Sequence, residues 1–254
     1  MSATSISTFA PQRAPGALPG LTIVLPCFDE AENLPDVVRY ATEAAERCAD
    51  THEIIVVDDG STDETVAVAG AMAARDARIR LIVHAGNLGQ GRALRSGIAA
   101  ARQPWVLLID ADLQFDVGEL EAFLPETESA ELVVGWRILP QVAVTRRAGG
   151  ALWNGVVRAA FDLPVRDVDC AFRLGRRALL QYLDLRTSRA LFGAELLVKS
   201  RSAGARMAEV PVHHRARVAG RQTGAGPRLG ARTLRDLADL CRHRSDRPAR
   251  PLGA

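Results

Sequence analysis

Asp110 and Asp112 stand one residue apart at the end of an apolar run, Leu107-Leu108-Ile109, and Gln114 follows two residues later. Side chains alternate along a strand, so a strand ending here delivers both carboxylates to one edge of a sheet. Paired carboxylates repel unless a cation sits between them, and their hard oxygens suit Mg²⁺ or Mn²⁺. Mg²⁺ commonly takes one or two protein carboxylates plus substrate phosphates, which points to a nucleotide as companion. For the pair in isolation, a solvated Asp-rich turn is the competing reading.

The surrounding elements decide between the two. Leu21–Leu25, Glu53–Val57, Ile79–Val83, Trp105–Ile109 and Leu132–Gly135 read as strands. Their nearly unbroken apolar character suits a sheet covered on both faces. Glu30–Cys48, Asp63–Arg75, Gln90–Arg102 and Val117–Leu124 read as helices between them, with Ala148–Phe161 as a further one. That alternation predicts an α/β sandwich around a central, mostly parallel sheet flanked by helices. Ligands of such sheets bind at the carboxyl ends of the strands. This chain gathers its polar residues there, at Pro26–Glu30, Asp58–Ser61, His84–Gly91 and Asp110–Gln114. Ser61 or Thr62 is placed to cap the helix after the second strand. The turn Gly86–Arg92 is rich in glycine but fits neither G-x-G-x-x-G nor the P-loop pattern, which disfavours a dinucleotide dehydrogenase or a P-loop enzyme.

Composition fits a globular domain: 48% of the 254 residues are apolar and 24% charged. No apolar run approaches the ~20 residues that cross a bilayer. Residues 1–19 are rich in Ser, Thr, Ala, Pro and Gly and read as a disordered leader rather than a signal peptide. The four cysteines (Cys27, Cys48, Cys170, Cys241) are scattered, which argues against a disulfide framework and suits a reducing cytoplasm. Charge is polarised: residues 201–254 carry 12 Arg against 4 acids, while residues 1–200 are net acidic. Within that tail, residues 226–254 read as a basic amphipathic helix plus flexible tail. The helix either lies on an anionic membrane surface or packs on the domain. Residues 20–225 form the domain itself, and no nucleic-acid partner is expected.

Taken in order, the motifs resemble family-2 glycosyltransferases of the GT-A fold, nearest the polyprenol-phosphate (dolichol-phosphate mannosyltransferase-like) branch. The resemblance spans roughly Leu21 to Thr223. It is carried by Ile23–Glu30, Ile54–Asp63, Asn87–Gly89 with Ala93–Gly97, and Asp110-Ala111-Asp112-Leu113-Gln114. Val134–Arg137, Asp167–Arg173 and Glu209–Val212 with Arg217 and Gly220 add to it. The chain departs from the pattern at Asp29 (usually Asn), Trp136 (usually small), and Gln222-Thr223 (usually Ser-Lys).

The resemblance implies that Pro26, Phe28, Glu30, Asp58 and Asp59 form the nucleoside pocket, and that Asp110 meets the ribose or the metal shell. Asp112 and Gln114 become the metal ligands, for Mg²⁺ or Mn²⁺. Asp167 and Asp169 are the candidate bases. Arg137 and Arg217 are candidate phosphate contacts, whereas Arg173 is expected in a structural ion pair. The implied reaction is inverting transfer of a sugar from a GDP- or UDP-sugar. The acceptor is first a polyprenyl phosphate at the cytoplasmic membrane face, with a peripheral enzyme. A phosphate acceptor is already anionic and needs no base; a hydroxyl acceptor does. The rivals are a soluble transferase acting on a hydroxyl of a small molecule or glycan, and a non-catalytic scaffold that binds the nucleotide sugar. A sugar-1-phosphate nucleotidyltransferase is a further rival, disfavoured because Pro26–Glu30 replaces the glycine-rich loop it would need.

Overall fold

The computed structural model describes residues 13–138, 144–187, 191–215, 240 and 242. The first half is a repeated strand–helix unit. It runs β1 (Leu21–Cys27), α1 (Leu34–Cys48), β2 (His52–Asp58), α2 (Thr65–Arg75), β3 (Ile79–Val83), α3 (Gln90–Ala100) and β4 (Trp105–Leu108). Two 3-10 segments, Val117–Phe123 and Pro125–Glu128, follow, in place of the α-helix expected over Val117–Leu124. The second half comprises β5 (Leu132–Ile138), α4 (Val144–Phe161), β6 (Arg173–Arg176), α5 (Arg177–Tyr182), α6 (Phe192–Ser202) and β7 (Met207–His213).

The seven strands of the described residues join one sheet in the order β3-β2-β1-β4-β6-β5-β7. β1 pairs in parallel with both β2 and β4, β2 with β3, and β5 with β7. Only β6 runs against its neighbours, β4 and β5. Strand order therefore reverses between β1 and β4, and the crevice outside their carboxyl ends is where an open α/β sheet binds ligands.

Alternating strand residues feed two cores. Leu21, Ile23, Leu25, Ile54, Val56 and Leu107 pack under α1 and the first 3-10 segment. Val24, Ile55, Val57, Val106 and Leu108 pack under α3, α5 and α6. Gly97 of α3 allows the close approach of that second layer, because a Cβ there would lie 2.2 Å from Val24 Cγ1.

The end of the expected leader, residues 13–19, lies against α1: Leu18 is buried and its N–H donates to the Cys48 carbonyl at 2.7 Å. Of the expected C-terminal helix only Leu240 and Arg242 are described; Leu240 is buried in the second core, while Arg242 is exposed. The rest of that helix, Cys241 and Arg217 lie outside the described residues. Among those described, no helix is long and apolar enough to cross a membrane.

Candidate active site

Four loops meet at the carboxyl edge of β1, β2, β3 and β4, and hydrogen bonds lace each to the next. Asp29 N–H donates to Ser61 Oγ at 2.9 Å, and Thr62 N–H donates to Asp29 Oδ1 at 2.7 Å. Glu30 N–H donates to Thr65 Oγ1 at 2.9 Å. Ser61 and Thr62, expected as helix caps, thus face the first loop instead. Asp63 serves the helix start, accepting Thr65 N–H at 3.0 Å. Asp29, a departure from the expected family pattern, has its role here: it ties the first loop to the second.

The adjacent carboxylates Asp58 and Asp59 divide the labour. Asp59 Oδ1 accepts Leu88 N–H at 3.0 Å and His84 Nδ1–H at 2.8 Å. Its Oδ2 accepts Gly89 N–H at 2.7 Å. His84 Nε2 and Ser96 Oγ are hydrogen-bonded at 2.9 Å. Asp59 thereby pins the glycine-rich turn down. Asp58 spends only Oδ2 on the protein, accepting Gly60 N–H at 3.1 Å and Ser61 N–H at 3.2 Å. Its Oδ1 is fully buried and has no hydrogen-bond partner among the described residues. A buried orphan acceptor costs about 1–3 kcal/mol, so its place at a ligand-binding edge calls for a donor from outside.

Gly60 holds these loops together. Its φ is +77°, and a Cβ there would come within 2.4 Å of the Gly86 carbonyl carbon. Gly60→Ala is expected to cost about 2 kcal/mol or more. That should lower the thermal midpoint by about 5 °C or more, read by calorimetry.

Asp110 and Asp112 lie in the loop beyond the end of β4 at Leu108. Asp110 Oδ1 accepts Gln90 Nε2–H at 2.5 Å, linking the edge of β4 to α3. Asp112 is buried and accepts Gln114 N–H through Oδ1 at 3.2 Å. Between them and Gln114 the chain takes a left-handed turn at Leu113 (φ 59°), and Asp29 is also left-handed (φ 54°). Such backbone costs about 1–3 kcal/mol for a side-chain-bearing residue and clusters at functional sites. Gln114 Nε2–H donates to the Arg215 carbonyl at 3.2 Å, leaving Oε1 as the amide atom able to ligate a cation. Among the described residues no three His, Cys, Asp or Glu side chains form a ready-made metal cage. A carboxylate and an amide oxygen at a ligand-binding edge nevertheless fit Mg²⁺ or Mn²⁺, whose other ligands come from phosphates and water. Pro26 and Phe28 line the first loop, half-buried, and Glu30 is buried with Oε2 accepting Asn33 Nδ2–H at 2.6 Å.

The second half contributes another group. Arg137 forks onto Asp167, with Nε–Oδ2 at 2.6 Å and Nη2–Oδ1 at 2.8 Å. Burial works against the Asp167 carboxylate, but the Arg137 pair outweighs it and holds the pKa below the usual value. Asp169 goes the other way: burial, with the nearby Asp167 charge, raises its pKa. Trp153 Nε1–H donates to Asp169 Oδ1, and Val168 N–H donates to Asn154 Oδ1, so α4 fastens this segment. Arg173 makes no ion pair among the described residues; Arg137, expected to meet phosphate, holds the pair instead. His213 Nδ1 hydrogen-bonds Glu119 Oε1, and His214 is buried against Phe115.

A family model described as glycosyl transferase family 2 matches residues 22–183, well over half of the chain. The chain belongs to glycosyl transferase family 2. Glycosyltransferase AglD of Haloferax volcanii is 34% identical over 212 residues, which cover 80% of this chain and 34% of that protein. An undecaprenyl-phosphate 4-deoxy-4-formamido-L-arabinose transferase of Pseudomonas fluorescens is 30% identical, covering 68% of this chain and 51% of its own length. The chain thus spans about a third of the first relative and about half of the second. The crystal structure of Mycobacterium tuberculosis glucosyl-3-phosphoglycerate synthase with Mn²⁺, UDP and glucosyl-3-phosphoglycerate superposes with a TM-score of 0.67 at 21% identity. That match covers 90% of this chain and 81% of the synthase, and it shows the shared GT-A fold.

As a member of glycosyl transferase family 2 the chain is a glycosyltransferase, and the arrangement has a chemical logic. The loops of Asp58, Asp59 and Glu30 lie at the ends of β2 and β1, that of Asp110, Asp112 and Gln114 at the end of β4, and the Arg137, Asp167 and Asp169 group beside β5 and β6. Sequence reasoning missed the division between Asp58 and Asp59, as well as His84 and Gln90. His84 and Gln90 carried a signal: each is a hydrogen-bonding side chain at the edge of a loop already marked by its glycines.

Proposed function

We propose that this chain moves a sugar from a UDP- or GDP-sugar, with inversion and with Mg²⁺ or Mn²⁺, to a polyprenyl phosphate. The observation that carries the nucleotide half of the reading is the orphan Asp58 Oδ1, buried at the sheet edge beside the loops of Glu30 and Asp59. An imide N–H of uracil or guanine satisfies it. Pro26 and Phe28 flank the base, Glu30 faces the nucleoside, and Asp110 meets the ribose or the metal shell. Asp112 and Gln114 Oε1 would hold the cation, which when bound offsets the diphosphate charge and stabilises that leaving group. The synthase structure with Mn²⁺ and UDP favours UDP as the first donor to try.

In the transfer step an acceptor phosphate oxygen forms a bond to the anomeric carbon. The bond from that carbon to the diphosphate breaks, and the nucleoside diphosphate leaves with the electron pair. No proton moves, so no base is required. The undecaprenyl-phosphate transferase among the relatives supports a lipid phosphate acceptor. The basic residues beyond position 215 support docking on the anionic cytoplasmic face, with Arg217 a phosphate contact. Incubation with labelled UDP- and GDP-sugars, Mn²⁺ and undecaprenyl phosphate tests the reading: labelled lipid supports it, and label appearing only in water-soluble product refutes it.

One observation favours a second reading, transfer to a hydroxyl. Asp169 has a raised pKa and a Trp153 hydrogen bond that aims it, both of which suit a general base. A base must be ionised, so on this reading kcat/KM falls as pH drops through the raised Asp169 pKa, and Asp169→Asn abolishes the dependence. With a phosphate acceptor Asp169→Asn leaves that limb unchanged. The same titration marks stability: an acid that holds its proton more tightly when folded stabilises the fold at low pH. That contribution is lost as pH rises through the folded pKa.

A further inference from the structure

Arg173 opens β6 opposite Leu108 of β4, on the acceptor side of the cation loop. It is 5% exposed. Nη2–H donates to the Val168 carbonyl at 3.0 Å, the one hydrogen bond its guanidinium makes among the described residues. Asp110, Asp167 and Asp169 all act on it electrostatically. Each is nevertheless engaged elsewhere, by Gln90, Arg137 and Trp153 in turn. Gly193, near the start of α6, leaves the space the head group occupies: a Cβ there would lie 2.3 Å from Nη2 and 2.7 Å from the Val168 carbonyl oxygen.

A buried cation with donors to spare is costly unless a partner arrives. Burial depresses the Arg173 pKa, the expected sign of that cost. The backbone N–H groups that open the 11-residue α6 add a fixed positive end beside it. Position along the sheet edge separates the two possible anions. The nucleoside pocket lies over β2 and β1 and the cation loop over β4, so a group over β6 lies beyond the donor diphosphate.

We propose that Arg173, with the first turn of α6, binds the anionic phosphate of the acceptor and holds its oxygen toward the anomeric carbon. The inference rests on the phosphate-acceptor reading above. It also reverses the expected roles: Arg137 is the structural ion pair and Arg173 the cation that meets substrate.

The test uses the full chain with Mn²⁺ and UDP, titrated calorimetrically with inorganic phosphate and with citronellyl phosphate. Arg173→Gln removes the charge. Arg173→Met supplies a second variant, since a buried charge replaced by an apolar side chain of similar length is often tolerated. In whichever variant retains the wild-type thermal midpoint, affinity for both phosphates should fall about 10- to 100-fold. Affinity for UDP should stay within about twofold. Unchanged phosphate affinity overturns the proposal, and so does a loss that falls on UDP instead. Wild-type phosphate binding that depends on Arg173, without sugar transfer to citronellyl phosphate, keeps the anion site and refutes the lipid acceptor. Transfer that proceeds equally well in the Arg173 variants keeps the acceptor and refutes the site.

Discussion

Asp112→Ala loses about three orders of magnitude or more in kcat/KM while its thermal midpoint stays close to that of the wild type. The size follows from the role. A divalent cation on a departing diphosphate supplies several kcal/mol of transition-state stabilisation, and each 1.36 kcal/mol, roughly, is a factor of ten. The fold is expected to survive because the bond from Gln114 N–H to Asp112 Oδ1 lies within a single loop beyond β4. Gln114 stays anchored through Arg215, whose N–H donates to its carbonyl at 2.8 Å. Steady-state kinetics with saturating Mn²⁺, beside a melting curve, separates the two quantities. Wild-type turnover in this variant would remove Asp112 from the metal site.

Asp58→Asn weakens nucleoside diphosphate binding about 100-fold with little change in stability. An Asn can keep its oxygen where Oδ2 now accepts Gly60 N–H and Ser61 N–H, so the turn persists. Its NH₂ then replaces Oδ1, and a donor confronts the donor of the base. Losing a charge-assisted hydrogen bond costs about 1.5–3 kcal/mol, and the opposed donors add to it. Asp59→Asn offers the contrast. Both Asp59 oxygens hold the Asn87–Gly89 turn and His84, so its loss registers first in stability. Equal binding by Asp58→Asn and wild type would mean the base sits elsewhere.

Strands buried on both faces write themselves as apolar runs, so β1 to β4 and the start of β5 are visible in the sequence, as are the polar clusters at their ends. Of the later elements α4 is legible, read as Ala148–Phe161 and found as Val144–Phe161, whereas β6, α6 and β7 are not. β6 is Arg-Leu-Gly-Arg, with no run of its own, and it exists because β4 and β5 pair with it on both sides. α6 shows no polar face because Glu195 and Lys199, which would mark one, are buried together at 2.8 Å. Glu195 also accepts Thr187 N–H and Arg186 N–H from the preceding loop. β7 contains Pro211, which an edge strand tolerates. At the site, residue type and spacing identify the loops but not how neighbours share the work. Asp58 and Asp59 are chemically identical, and only the packing of the third loop on Asp59 leaves Asp58 with a spare oxygen. Arg137 likewise takes the ion pair expected of Arg173, through its contact with Asp167.

The most direct test of the account is calorimetric titration of the full chain with UDP and GDP, with and without Mn²⁺. The account expects saturable binding of at least one of the two, strengthened by Mn²⁺ in the wild type and indifferent to Mn²⁺ in Asp112→Ala. Absence of binding to either nucleoside diphosphate in the presence of Mn²⁺ would contradict it.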